Sequence, residues 1–175
     1  MYKRQDHIHV IKDKKKLFYI LMLEVQFKEA FSHHYLLPLA FIPESEESHF
    51  ALIPLITRLR LVQQEGLLYD ALFTDSFRVL LFDHLVKNKS VLLPQGSIQF
   101  EKSDSFKVVS PKKVNSFILV AEQSNTAIIY NDQYFFKWFR RVFPESNPDL
   151  EISRFLNLNR YPYTAQYMGL SLIHI

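Results

Sequence analysis

Residues 17–28, LFYILMLEVQFK, run apolar from Leu17 to Leu23 and then alternate. That pattern predicts a buried strand. Its backbone donors and acceptors then need partners on a sheet, and the sequence offers them close by. HHYLLPLAFI, residues 33–42, reads as a second strand, and Pro38, which has no ladder donor, assigns it to a sheet edge or a bulge. IPESEES, 42–48, reads as a polar loop. ITRLRLV, 56–62, alternates Ile56, Leu59 and Leu61 against Thr57, Arg58 and Arg60. A turn is expected at Gln64-Glu65-Gly66, with LLYDAL, 67–72, pairing back as a hairpin arm.

One helix is predicted after this sheet. Thr74 or Asp75 supplies the capping oxygen. Phe77, Leu80, Leu81, His84 and Leu85 then fall on one helical face, and the pattern stops near Lys87-Asn88. Short strands follow at 90–93 and 97–101. The polar stretch KSDSFKVVSPKK, 102–113, reads as a linker to a second unit.

That unit opens with a strand, SFILVA (116–121), then the loop EQSNT, then the strand AIIY. Asn131-Asp132 makes the turn, since both residues tolerate left-handed backbone. YFFKWF, 134–139, returns as a strand. After VFPES, a helix is predicted with Asn147 as N-cap, Pro148 at the first helical position and Asp149 in the first turn. Ile152, Phe155 and Leu156 form its apolar face. The fold class expected is α+β: a mainly antiparallel sheet domain with one packed helix, then a strand-loop-hairpin-helix unit.

The two ends stand apart. LSLIHI at the C-terminus can be back-translated to a DNA element whose reverse complement, read from GTG as the start codon, gives the N-terminal MYKRQ. Residues 1–5 and 170–175 are therefore read as non-native scars and set aside. The expected domains are 6–113 and 114–169, in a fragment of a longer protein.

Composition excludes several classes. The formal charge of +3 falls to +1 without Lys3 and Arg4, so it gives no case for nucleic acid. The dense run Lys12, Lys14, Lys15, Lys16 reads as a solvated strand edge. With no cysteine there is neither a disulfide framework nor a thiolate metal site. The longest apolar run is far short of a membrane span, and a reducing, cytoplasmic setting is expected. His7, His9, His33, His34, His49 and His84 lack acidic or cysteine companions at ligand spacing, so no metal site is expected. Asp70 and Asp75 are read as hairpin-end and capping residues. The aromatics of YFFKWF are read as core on both faces.

Lys137 is the residue that asks for an explanation. It shares a strand face with Phe135 and Phe139, and an ammonium on an apolar face needs a partner or water. Glu151, one turn into the next helix, is the candidate partner. A polar loop, a hairpin, a strand lysine and a helix glutamate, in that order, fit a kinase-type small lobe, where the lysine holds phosphate oxygens. The loop has no glycine, so it misses the Gly-rich fingerprint. A lysine that snorkels to solvent explains the same residue.

EQSNT, KWFRR and NPDLEISRFL together resemble the maltokinase family. Its members carry a Glu-Gln-Ser-Asn-Thr loop, a Lys-Leu-Phe-Arg-Arg strand and an Asn-Pro-Asp-Leu-Glu helix start. YLLPLAF and GLLYDALFTDSFRVLL are similar to the family's N-terminal cap domain, so the resemblance spans residues 18–169. It implies an ATP-dependent kinase that converts maltose to maltose 1-phosphate for α-glucan (glycogen-like) synthesis. It also implies a small lobe beginning near residue 114, and in some members a fusion to trehalose synthase. Carried over by position, Gln123, Ser124, Asn125 and Thr126 form the phosphate-side loop, Lys137 contacts the ATP phosphates, and Glu151 pairs with Lys137. Arg140 and Arg141 match the motif and are given a structural ion-pair role. Trp138 replaces an aliphatic residue, and Glu145-Ser146 replaces a more glycine-like turn. The acceptor base and the Mg²⁺ carboxylates belong to the family's large lobe and have no counterpart before residue 169. No catalytic residue is therefore expected here, and the fragment alone is expected to be inactive. The alternatives are a non-catalytic interaction module associated with trehalose synthase, or a related kinase with another acceptor.

Overall fold

A computed structural model describes residues 2–13, 16–28, 31–45, 54–93, 96–107, 114–119, 125–143 and 147–174. The chain is α+β and its sheets are antiparallel. It divides into two compact units that interleave along the sequence: 1–81 with 113–142, and 82–112 with 143–175. The linear boundary expected at 113/114 does not coincide with this division.

The first unit contains a six-stranded sheet. Strands β1 (Tyr2–Asp13), β2 (Lys16–Gln26), β3 (His33–Pro43), β4 (Leu55–Leu61) and β5 (Gln64–Asp70) lie in the order β1-β2-β3-β5-β4. The long apolar segments thus become neighbouring interior strands, each paired along both edges. Pro38 corrects one expectation. It sits fully buried inside central β3, opposite Ile20 of β2. On its other side, β5 pairs only residues 39–43, and a short strand at Arg141–Val142 pairs only Tyr35 and His34. The missing proline N–H falls in the gap between these two partial ladders, where nothing asks for it.

The β4–β5 turn is a second correction. It lies at Val62-Gln63 rather than at Gln64-Glu65-Gly66, and Val62 takes φ 58°. Gly66 is needed for a different reason: a Cβ there would run into the Phe41 ring and the Ile42 carbonyl. This glycine serves close approach between β5 and β3, not the turn.

After β5, Asp70 caps a 3-10 turn at Ala71–Phe73 by accepting from Leu72 N–H at 3.0 Å. Helix α1 (Asp75–Val86) follows, with Asp75 in its first turn. Phe77 is completely buried and meets Phe18 of β2 with ring centroids 5.0 Å apart. Burial of a side chain this size contributes about 2–3 kcal/mol. The unit is completed by a three-stranded meander: β8 (Ser116–Leu119), β9 (Asn125–Tyr130) and β10 (Tyr134–Phe139), followed by β11 (Arg141–Val142). Asn131 and Asp132 turn β9 into β10 with φ 51° and 55°, the left-handed pair expected there.

In the second unit, β6 (Ser90–Leu93), β7 (Gly96–Lys102) and β12 (Gly169–His174) form a sheet in the order β12-β7-β6. Helix α2 is Pro148–Leu158, with Asn147 accepting from Asp149 N–H at 2.9 Å. Phe82 and His84 at the end of α1 pack edge-on against Phe106 and Phe100. Buried Phe106 means that the expected linker is folded up to residue 107; residues 108–113 lie outside the described set. The ends set aside as scars also pair. β1 starts at Tyr2, and residues 170–174 form most of β12, with Leu170 buried. An apolar, alternating tail beside an open strand edge has a ready ladder to join.

The apolar face expected for α2 exists, but it is not covered. No residue of this helix is buried, and Ile152 and Phe155 are 59% and 64% exposed.

Candidate functional site

Strand parity divides the β8-β9-β10 meander into two faces. Thr126, Ile128 and Tyr130 of β9 stand opposite Trp138, Phe136 and Tyr134 of β10. This face is the packed one. Trp138 meets Phe77 edge-on, with centroids 6.3 Å apart. The Tyr130 hydroxyl donates to the Arg78 carbonyl at 2.9 Å, and burial pushes its phenol pKa well up. Buried Arg78 in turn donates to Ser116 Oγ at 2.9 Å and to the Leu72 carbonyl at 2.8 Å, and it pairs with Asp75. The indole N–H of Trp138 is buried without an acceptor among the described residues.

The opposite face carries Asn125, Ala127 and Ile129 against Phe139, Lys137 and Phe135, with Leu119 and Phe117 of β8 alongside. Phe135, Phe117 and Leu119 are exposed, whereas Ala127 opposite Lys137 is buried and Ile129, Lys137 and Phe139 are half-buried, so this face is apolar and partly open. The expectation that YFFKWF buries both faces is therefore corrected: one face packs, the other only in part. Lys137 stands in the middle of the open face. Its Nζ lies 5.3 Å from the centroid of the Phe139 ring, a cation–π arrangement that holds the ammonium on the sheet surface.

The residues singled out from sequence do not all share one strand face or one compact unit. Asn125 and Lys137 share the open face, one diagonal step apart across the hairpin. Thr126 points the other way. It is buried, and its Oγ1 accepts from Arg140 Nε at 3.1 Å and Nη2 at 2.8 Å. Its side chain serves the interior, so only its backbone remains for a ligand. Gln123 and Ser124 lie outside the described residues. Glu151 is exposed in the first turn of α2, in the other compact unit from Lys137.

Arg140 takes the ion-pair role expected of it. Its Nη2 meets Asp70 Oδ2 at 2.5 Å. Burial raises the Asp70 carboxyl above its ordinary range, while the charge and hydrogen bond of Arg140 and the Leu72 N–H pull it back. Sequence reading gave Asp70 a hairpin-end and capping role but did not join it to Arg140, since no local spacing links residues that far apart. Among the described residues no group of three or more His, Asp or Glu side chains could hold a metal ion. No family model matches the chain.

Proposed function

We propose that this chain is part of an ATP-dependent sugar kinase of the maltokinase type, and that it forms the cap and the start of the small lobe. The single observation that carries the reading is the position of Lys137. It projects from the third strand of an antiparallel meander onto an open apolar face, beside Asn125. Kinase small lobes place their phosphate-binding lysine on the third strand of such a sheet. An ammonium there meets phosphate oxygens as a point charge. The exposed rings and aliphatics of Phe117, Leu119 and Phe135 give a flat apolar surface against which a nucleobase loses little by leaving water.

In this reading ATP is the phosphoryl donor and maltose the acceptor. Lys137 neutralises phosphate charge, with Asn125 and the backbone of the preceding loop assisting. Glu151 is assigned to orient the lysine. Mg²⁺ and the base for the sugar hydroxyl are assigned to the large lobe of the parent protein, and none of the described residues is given those roles. A cytoplasmic setting and a trehalose synthase partner belong to the same proposal.

The test is maltose phosphorylation by the parent protein carrying Lys137→Met. Turnover is expected to fall by about two orders of magnitude or more, as expected when a positioned charge on the transferring group is lost. Unchanged turnover rejects the role of this lysine. A second reading, a non-catalytic interaction module, is favoured by the uncovered apolar face of α2. It predicts no phosphorylation of maltose or any other sugar by the parent.

A further inference from the structure

Strand β4 ends the six-stranded sheet on the side away from β1. Its inner edge pairs with β5 from Leu55 to Leu61, and among the described residues no strand pairs its outer edge. Leu59 is half-buried and the other six residues of β4 are exposed. An edge of this kind presents a row of backbone donors and acceptors that only another extended chain can match.

Sheet edges are normally guarded by charged side chains, prolines or bulges. β4 has one such device, a register shift between Leu55 and Thr57. From Thr57 to Leu61 the ladder is regular, and its two arginines do not stand guard over it. Arg58 Nη1 donates to Glu44 Oε1 and Arg60 Nε to Glu65 Oε1, at 3.0 and 3.1 Å. Glu65 belongs to β5 and Glu44 follows β3, so both guanidinium groups are held from the inner side of the strand. The turn beyond β4 adds a second observation. Val62 is 95% exposed at φ 58°, a conformation that strains a β-branched residue and that glycine adopts easily. Strain retained at an exposed apolar tip points to a use for that tip.

We propose that the outer edge of β4 receives an extended segment of a partner protein in which acidic and apolar residues alternate. Strand parity sets both preferences. Arg58 and Arg60 lie on one face, and Thr57, Leu59 and Leu61 on the other. Carboxylates opposite the arginines form cross-strand ion pairs, since a guanidinium has five donors and one carboxylate does not fill them. Apolar side chains opposite Leu59 and Leu61 cover them. A second copy of this chain is a poor occupant. Pairing the regular stretch with itself about a two-fold axis sets each arginine opposite an arginine of the other copy, and like charges across strands destabilise. The proposal does not rest on the kinase reading, since it uses none of the residues assigned there.

The experiment is an amide NMR titration of the intact chain with a capped peptide, Thr-Val-Glu-Val-Glu-Val-Thr, and with its counterpart in which lysine replaces both glutamates. With the acidic peptide, shifts and slowed hydrogen exchange are expected from Thr57 to Leu61. The lysine peptide is expected to bind about tenfold more weakly. Combining Arg58→Glu with Arg60→Glu is expected to reverse that preference, and unchanged amide shifts in β2 and β3 show that the variant is folded. The milder pair Arg58→Gln and Arg60→Gln is expected to remove the preference without adding charge. The proposal is overturned if the acidic peptide moves none of these amides at about 1 mM. It is equally overturned if the lysine peptide binds as tightly, or if the folded variants keep the original preference. Shifts of the same amides with protein concentration alone would make a second copy the occupant and overturn it too.

Discussion

Arg140 and Asp70, seventy positions apart in sequence, meet at 2.5 Å, and the same guanidinium holds Thr126 Oγ1. This contact joins the end of β5 to the β9–β10 hairpin. Both carboxylate oxygens of Asp70 are occupied, one by Arg140 and the other by the Leu72 N–H. Removing the arginine leaves a carboxylate with little water to turn to.

Arg140→Ala is therefore expected to cost about 3 kcal/mol in urea denaturation, the low end for breaking a buried pair. Asp70→Asn is expected to cost less, because its one amide oxygen keeps the Leu72 cap while Arg140 still holds Thr126 Oγ1 and stays partly exposed. If the double variant is no less stable than Arg140→Ala alone, the two residues act as one unit. Additive losses would contradict that coupling.

Asp70 also sets a pH dependence. Its folded pKa is raised by burial above the ordinary value of 3.8. A raised carboxyl binds protons more tightly folded than unfolded, so its stabilising contribution is complete below that value. The contribution is lost as pH rises through the folded pKa. Wild type minus Asp70→Asn is thus expected to show stability falling as pH rises from 3.8 through the raised folded pKa. A difference that rises with pH across that interval would refute the assignment.

Tyr130→Phe removes the donor to the Arg78 carbonyl on the packed face. A loss of about 1.5 kcal/mol is expected, a net hydrogen bond plus part of the cost of a buried, unpaired carbonyl. In an alkaline absorbance titration, Tyr130 is expected to ionise only with unfolding, since burial raises its pKa. A full complement of nine tyrosines titrating reversibly near pH 10 would contradict this.

Substitutions on the two kinds of aromatic face should separate sharply. Phe77→Ala is expected to cost about 3–5 kcal/mol, as a fully buried ring. Phe155→Ser, on uncovered α2, is expected to stay within about 0.5 kcal/mol of wild type. Lys137→Met, on the open sheet face, belongs with the second group: its effect should fall on nucleotide binding and not on the denaturation midpoint. A large stability loss at Phe155 would mean that α2 is covered in solution.

Much of the secondary structure was legible because period and capping are local properties. The β2 and β3 segments, the left-handed Asn131-Asp132 turn and the Asn147-Pro148 start could each be read within a few residues. Pro38 could not, because its tolerance depends on two ladders that end short of it, and those ladders come from residues 66–70 and 141–142. Gly66 was legible as special but not in its purpose, since the atom it makes room for belongs to Phe41. At the candidate site, parity alone placed Lys137 with Phe135 and Phe139. Which face of that strand meets solvent was decided by α1, through Phe77, and by the Arg140 contact, neither of which has a sequence signature at Lys137. The same packing took Thr126 away from the ligand side.

Trp138 is the chain's single tryptophan. It sits directly behind the open face, on the strand that carries Lys137, with its ring against Phe77. The protein therefore carries an intrinsic fluorophore at the spot of greatest interest. Its emission reads detachment of the hairpin from α1 without any label, while a ligand arriving on the far side of the strand leaves the indole itself untouched.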